Sequence, residues 1–215
     1  MCGLMSQADA ILAAEAGARY LGVIFAGGVR ELSADQAARV LELRPDGVRG
    51  VGVFRATEET ARIASVVSIA SLDVVQLHGG TAPHMVNNLR GIFRGEIWAT
   101  ARVANGELLD DVGALSEVAD VILIDTQGVD GMGGTGRTFN WAAAARSLSR
   151  SFSRGRARLA VAGGLSSENV GEAIRALSPD IVDVCSGIER APGVKDARRV
   201  RAFADAVHNA VTVSG

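Results

Sequence analysis

Short runs of Val, Ile and Leu recur along this chain, and each is followed by a stretch in which apolar residues return every three or four positions. Tyr20–Phe25 (YLGVIF), Val48–Phe54 (VRGVGVF), Val74–Leu77 (VVQL), Val121–Ile124 (VILI), Leu159–Ala162 (LAVA) and Ile181–Val184 (IVDV) read as strands. Their apolar residues are continuous rather than alternating, the pattern of parallel strands buried on both faces. Glu96–Thr100 (EIWAT) is a weaker strand signal. Helical signatures lie between them. Ser33 and Gln36 form a capping box ahead of Ala37, Val40 and Leu41. Ile63, Val66, Val67 and Ala70 sit at i, i+3, i+4 and i+7, and the spacing recurs at Val170, Ala173, Ile174 and Leu177 and at Val200, Phe203, Ala204 and Val207.

The tally is seven strands from Tyr20 onward and eight helical segments, the first over Ser6–Ala16. A helix that precedes the first strand implies one more strand ahead of Ser6, where Met1 and Cys2 are available. An eighth strand completes an alternating pattern that predicts a closed (β/α)8 TIM barrel with a very short first strand. A doubly wound open sheet is the runner-up, but CGLMS does not supply the glycine fingerprint such a sheet carries after its first strand. A length of 215 residues suits one core, so residues 1–215 are expected to form one catalytic domain.

Composition narrows the function. A formal charge of −2 carries no basic excess for nucleic acid. The densest basic stretch, RSFSRGRAR at Arg150–Arg158, reads as a solvated connection. No apolar run approaches bilayer length and no leader opens the chain, so a cytoplasmic protein is expected, without a membrane or nucleic-acid partner. Cys2 and Cys185 are too few for a disulfide framework, and His78, His84 and His208 have no metal-ligand spacing.

In a barrel, chemistry collects at the carboxyl ends of the strands. Cys2 ends the stub, and Arg30 follows Tyr20–Phe25. Arg55 follows Val48–Phe54, Gln76 and His78 close VVQLH, and Asp125 closes VILID. Gly163 and Gly164 follow LAVA, and Ser186 and Gly187 follow IVDVC. AGGLSSENV places glycines before a helix capped by Ser166 or Ser167, where free N–H groups make an anion site. CSGIE does the same beside it. The alternative is that these glycines serve tight turns. Asp125 is either an acid–base group, which would need a pKa raised by roughly three units, or a carboxylate that caps its loop. Cys2 is either a catalyst or a small buried apolar residue, and His78 suits a structural hydrogen bond. GMGGTGR at Gly131–Arg137 lacks the ending of a P-loop and reads as a flap over the mouth.

CGL at Cys2–Leu4, AGARYLGVIF followed by Arg30, VGVF at Val51–Phe54 and VVQLHG at Val74–Gly79 occur in order along the chain. GGTGRTFNW at Gly133–Trp141, AGGLSSENV at Ala162–Val170 and SGIERAPGVKD at Ser186–Asp196 complete a set that resembles the phosphoribosylanthranilate isomerase family. The resemblance implies an Amadori rearrangement of N-(5-phosphoribosyl)anthranilate to 1-(2-carboxyphenylamino)-1-deoxyribulose 5-phosphate in tryptophan biosynthesis, without a cofactor. It makes Cys2 the general base and Asp125 the general acid, gives Arg30 the anthranilate end, and gives the glycine and serine loops the phosphate. Gln76 and His78 would line the substrate. Fusion or association with indole-glycerol-phosphate synthase is also implied. The chain departs from the family in its stub strand, in AGGV before Arg30 and in Ala99, where Lys is common. The stub implies either a start upstream of Met1 or a barrel closed by a few residues. The competing readings are a histidine-pathway isomerase, which pairs two aspartates, and a non-catalytic phosphosugar-binding module. If the chain starts at Met1, its ammonium is expected to favour a Cys2 thiolate, with Cys185 a separate and slower thiol.

Overall fold

The computed structural model describes residues 1–126, 138–152 and 156–212. Strands β1 (Tyr20–Ile24), β2 (Arg49–Arg55), β3 (Val74–His78) and β4 (Glu96–Ala104) pair in parallel in that order. β5 (Glu107–Leu108) is a side branch on β4, and the parallel ring continues through β6 (Val121–Thr126), β7 (Arg158–Val161) and β8 (Ile181–Val182). Residues 1–4 close the ring. The Cys2 N–H donates to the Val184 carbonyl at 2.9 Å. On the other side Gly22 N–H donates to Met1 O at 2.9 Å and Leu4 N–H to Gly22 O at 3.0 Å. A stub of four residues therefore acts as the missing strand of a (β/α)8 barrel. Gly22 makes room for it, because a Cβ there would stand 2.9 Å from Cys2 Sγ.

Helices α1 (Gln7–Glu15), α2 (Ala34–Leu41), α3 (Thr60–Ala70), α4 (Pro83–Arg90), α5 (Val112–Ser116), α6 (Trp141–Ser151), α7 (Val170–Leu177) and α8 (Ala197–Thr212) alternate with the strands. The capping box at Ser33 and Gln36 forms as its spacing requires, and Ser6 with Asp9 forms another. The core has two layers. Val51, Val74, Trp98, Val121, Leu123 and Ala160 fill the lumen, while a larger cluster packs the outer strand faces against the helices. At the amino-terminal rim, Glu96 accepts from both Arg49 and Arg158, which ties three strands together. Below Met1, between Tyr20, Ile181 and α8, lies a cavity of about 570 Å³.

Two hairpins depart from the strand pattern read from sequence. β4 runs four residues beyond EIWAT and folds back as β5, with Val103 opposite Leu108 and Ala104 opposite Glu107. The turn is Asn105-Gly106, with φ of 53° and 83°, the positive values a two-residue hairpin of this twist demands. After β8, β9 (Glu189–Ala191) and β10 (Val194–Lys195) form an antiparallel pair around Pro192-Gly193. Proline presets the first turn position and glycine, at φ 78°, takes the second. This hairpin sets Lys195 opposite Glu189.

Candidate active site

β6 carries Asp125 to the carboxyl end of the barrel, where it is 9% exposed. Burial raises its pKa from 3.8 to about 7, the nearby Asp183 carboxylate adds to the rise, and hydrogen bonds from Thr126 oppose it. The three-unit rise that acid catalysis near neutrality needs is thus present. Gly163 lies against this carboxyl: a Cβ there would stand 2.8 Å from both Asp125 Oδ1 and Thr126 N.

Asp183 is the residue that sequence reasoning missed. It sits one position past β8 with its N–H donating to Val161 O, and Met1 nitrogen lies 3.8 Å from its Oδ1. Its charge reaches three groups at once, raising Cys2, Asp125 and His78. The signal was available: IVDV, like VILID, places a carboxylate in an otherwise apolar strand run. His78 closes β3, and burial lowers its pKa more than Asp183 raises it, which keeps the ring neutral near pH 7. Gln76, buried two residues earlier, faces the lumen and lines the lower cavity with Cys2, Trp98 and Asp183.

The electrostatics reverse the order expected for the thiols. Cys2 is buried and donates a hydrogen bond to Cys185, and that bond, burial and the Asp183 charge raise its pKa. The terminal ammonium acts in the expected direction but is the weakest influence. Cys185 is held below the usual thiol range, first by the bond it accepts from Cys2 and then, against its own burial, by Lys195 and Arg30. Neither cysteine is in a disulfide.

Arg30 lies in the loop after β1 and is gripped by Glu189, Nε to Oε1 at 2.8 Å and Nη2 to Oε2 at 2.6 Å. Lys195 Nζ meets the same carboxylate at 2.9 Å with 1% of its side chain exposed. Burial pushes Glu189 towards protonation, but hydrogen bonds from Arg30 and Lys195 outweigh it and hold the carboxyl ionised. Two cations thus share one anion, which leaves one unit of positive charge within the trio. The Pro-Gly hairpin explains why SGIERAPGVKD brings Glu189 and Lys195 together. Arg55 faces elsewhere and donates to Ala26 O at 2.9 Å.

Gly163 and Gly164 take φ of 86° and 65° after β7, and Ser186–Ile188 forms a 3-10 turn after β8. The loops touch, since a Cβ on Gly187 would overlap the Leu165 carbonyl. Neither Ser166 nor Ser167 caps the helix, contrary to expectation. α7 begins at Val170 with Asn169 before it and no side-chain cap. Asn169 instead braces the loop, accepting from Ser166 N at 2.8 Å and donating to Gly164 O at 2.9 Å. An amide side chain bridges donor and acceptor together, which a serine hydroxyl reaches less far to do. The first N–H groups of α7 are met by backbone carbonyls instead, Val170 N donating to Ser166 O at 3.0 Å and Glu172 N to Asn169 O at 3.1 Å. The flap expected over 131–137 lies outside the described residues.

Cys2, Arg30, His78, Asp125, Gly163, Gly164, Ser186 and Gly187 thus lie at the carboxyl end of a parallel barrel, the end where barrel enzymes build their sites from βα loops. Residues 1–206 match the N-(5'-phosphoribosyl)anthranilate (PRA) isomerase family, and the chain belongs to it. A relative from Pelobacter propionicus, an N-(5'-phosphoribosyl)anthranilate isomerase, is 37% identical over 204 residues, spanning 94% of this chain and 91% of that one. The crystal structure of the Thermus thermophilus phosphoribosyl anthranilate isomerase aligns with a TM-score of 0.82 at 28% identity, covering 97% and 96% of the two chains. Another phosphoribosyl anthranilate isomerase, solved in complex with reduced 1-(o-carboxyphenylamino)-1-deoxyribulose 5-phosphate, aligns with a TM-score of 0.77 at 30% identity over 97% and 96%.

Proposed function

We propose that the whole chain acts as one catalytic domain that isomerises N-(5'-phosphoribosyl)anthranilate to 1-(2-carboxyphenylamino)-1-deoxyribulose 5-phosphate. The observation that carries this reading is Asp125, a carboxyl with a pKa raised to about 7 at the carboxyl end of β6. As general acid it gives its proton to the furanose ring oxygen. The C1–O bond breaks, the nitrogen lone pair forms C1=N, and the ring opens to a protonated Schiff base. Cys2, having given its own proton to water, then takes the C2 proton as a thiolate, the released electrons form C1=C2 while the C1=N electrons return to nitrogen, and the enol tautomerises to the aminoketose as O2 loses a proton and C1 gains one.

Cys2 rests as a thiol in the free enzyme because it faces Asp183 and donates to Cys185. The cationic Schiff base supplies the missing influence. It places a positive charge beside the base at the step that needs a thiolate, and it acidifies C2–H as well. Arg30, oriented by Glu189, meets the anthranilate carboxylate with the positive charge it shares with Lys195. The loops at Gly163–Gly164 and Ser186–Gly187, which touch each other, hold the phosphate. Gln76 and His78 line the sugar side, His78 as a neutral ring.

The reaction is proposed to run in the cytoplasm, a reducing compartment with which two free thiols are compatible. Association with an indole-glycerol-phosphate synthase, which takes this product in the pathway, is read by co-purification. The decisive test is turnover of freshly made phosphoribosylanthranilate alongside the aminoaldose of the histidine pathway. Turnover of the first is expected. A folded protein that turns over only the second, or neither, overturns the assignment.

A further inference from the structure

The seam where the stub meets β8 holds two thiols that the isomerisation does not require as a pair. Cys2 N–H donates to the carbonyl of Val184, the residue before Cys185. The same contact recurs one residue on, where a Cβ built on Gly3 would stand 2.8 Å from Cys185 Sγ, so the stub runs directly against Cys185. The thiols are already hydrogen-bonded, Cys2 to Cys185.

The surroundings divide the labour between them. Cys185 is partly exposed, while Cys2 is buried. Lys195 Nζ stands 3.9 Å from Cys185 Sγ and donates to the Cys185 carbonyl at 3.0 Å. Arg30 reaches the same place: a Cβ built on Gly3 would be 2.8 Å from both Arg30 Cδ and Cys185 Sγ. A partly exposed sulfur between two cations, with a second thiol in contact, is the arrangement of an oxidant-sensing cysteine and its resolving partner.

We propose that Cys185 is a site of oxidation by hydroperoxides and that Cys2 resolves it, closing a reversible disulfide across the seam of the barrel. The Cys185 thiolate attacks one peroxide oxygen, the O–O bond breaks, and hydroxide leaves as the sulfur becomes a sulfenic acid. Cys2 sulfur then attacks the sulfenic sulfur. The S–S bond forms, the S–O bond breaks, and the Cys2 proton goes to the departing hydroxide. The two sulfurs lose two electrons in all, and one peroxide becomes water and hydroxide. The low thiol pKa of Cys185 supports its place as the attacking group, since the thiolate is the nucleophile. Loss of isomerase activity on closure rests on Cys2 being the base.

The test is hydrogen peroxide added to fully reduced protein, followed by alkylation and peptide mass mapping. Both thiols should disappear together, with a joined peptide of Cys2 and Cys185 and a mass lower by two hydrogens. Turnover should fall in proportion to the joined fraction and return with dithiothreitol. Cys185→Ser should form no disulfide and show no reversible loss, while Cys2→Ser should leave a Cys185 sulfenic acid that dimedone traps. A disulfide with undiminished turnover upholds the pair and removes Cys2 from the proposed reaction instead. Two thiols still alkylated after peroxide, sulfinic acid on Cys2 beside an untouched Cys185, or a bond between two molecules each overturn the proposal.

Discussion

Replacing Asp125 with asparagine should stabilise the protein at alkaline pH while removing its turnover. In the folded chain the Asp125 pKa stands at about 7 against a model value of 3.8. The folded state therefore holds a proton that the unfolded state releases. The stability associated with that proton is fully present below pH 3.8, declines as pH rises, and is gone above pH 7. Three units at 1.36 kcal/mol each amount to about 4 kcal/mol of destabilisation carried at pH 8. Asparagine cannot ionise, so the variant escapes this cost. It also exchanges an acceptor for a donor near Thr126, which donates to Asp125 Oδ1 at 3.4 Å. That change is independent of pH, so the clean quantity is the difference between two pH values. From pH 5 to pH 8 the variant should gain about 3 kcal/mol on the wild type, two units of the window. Urea unfolding at both pH values, on variant and wild type, reads it directly. Activity should fall about 10²–10⁴-fold, the usual contribution of a general acid. An equal stability difference at pH 5 and pH 8 would show that burial does not hold this carboxyl protonated. A variant within a few-fold of wild-type turnover would remove Asp125 from the mechanism.

Arg30→Ala should raise KM and weaken inhibition by the aromatic product while leaving inhibition by inorganic phosphate unchanged; equal losses for both ligands contradict its assignment to the carboxylate end. Gly163→Ala should destabilise the fold by about 1–3 kcal/mol, because it meets Asp125 and Thr126 at 2.8 Å and holds φ at 86°. A thermal midpoint equal to wild type would refute that. Asp183→Asn should lower the Asp125 pKa, since the like charge that raises it is gone. Titration of the Asp125 carboxyl by NMR reads the shift, and an unchanged midpoint rejects the coupling. At pH 7, iodoacetamide should label Cys185 before Cys2, and mass mapping that finds the reverse order contradicts the hydrogen-bond direction between them.

The barrel was legible because burial on both faces writes itself into a sequence. Strands such as VILI need no partner information to be recognised, and the residues just past them fall on one rim by topology alone. What escaped was set by two-residue turns. Asn105-Gly106 and Pro192-Gly193 are strong hairpin signals, yet each is flanked by so few apolar residues that periodicity passed over them. The second omission mattered for the site. Without the turn, Glu189 and Lys195 are charges in a loop; with it they face each other and hold Arg30 in place.

The thiols turn on a different point. Proximity in sequence suggested that the terminal ammonium would favour a Cys2 thiolate, and it does act in that direction, but Met1 and Asp183 are partners at 3.8 Å, so the ammonium is answered by a carboxylate. The cations that matter to sulfur, Lys195 and Arg30, come from positions far along the chain and reach Cys185 instead. Charge at an active site is set by which strands a closed barrel makes neighbours. In this one the last strand and the first four residues meet, and that meeting pushes the Cys2 thiol up while it draws Cys185 down.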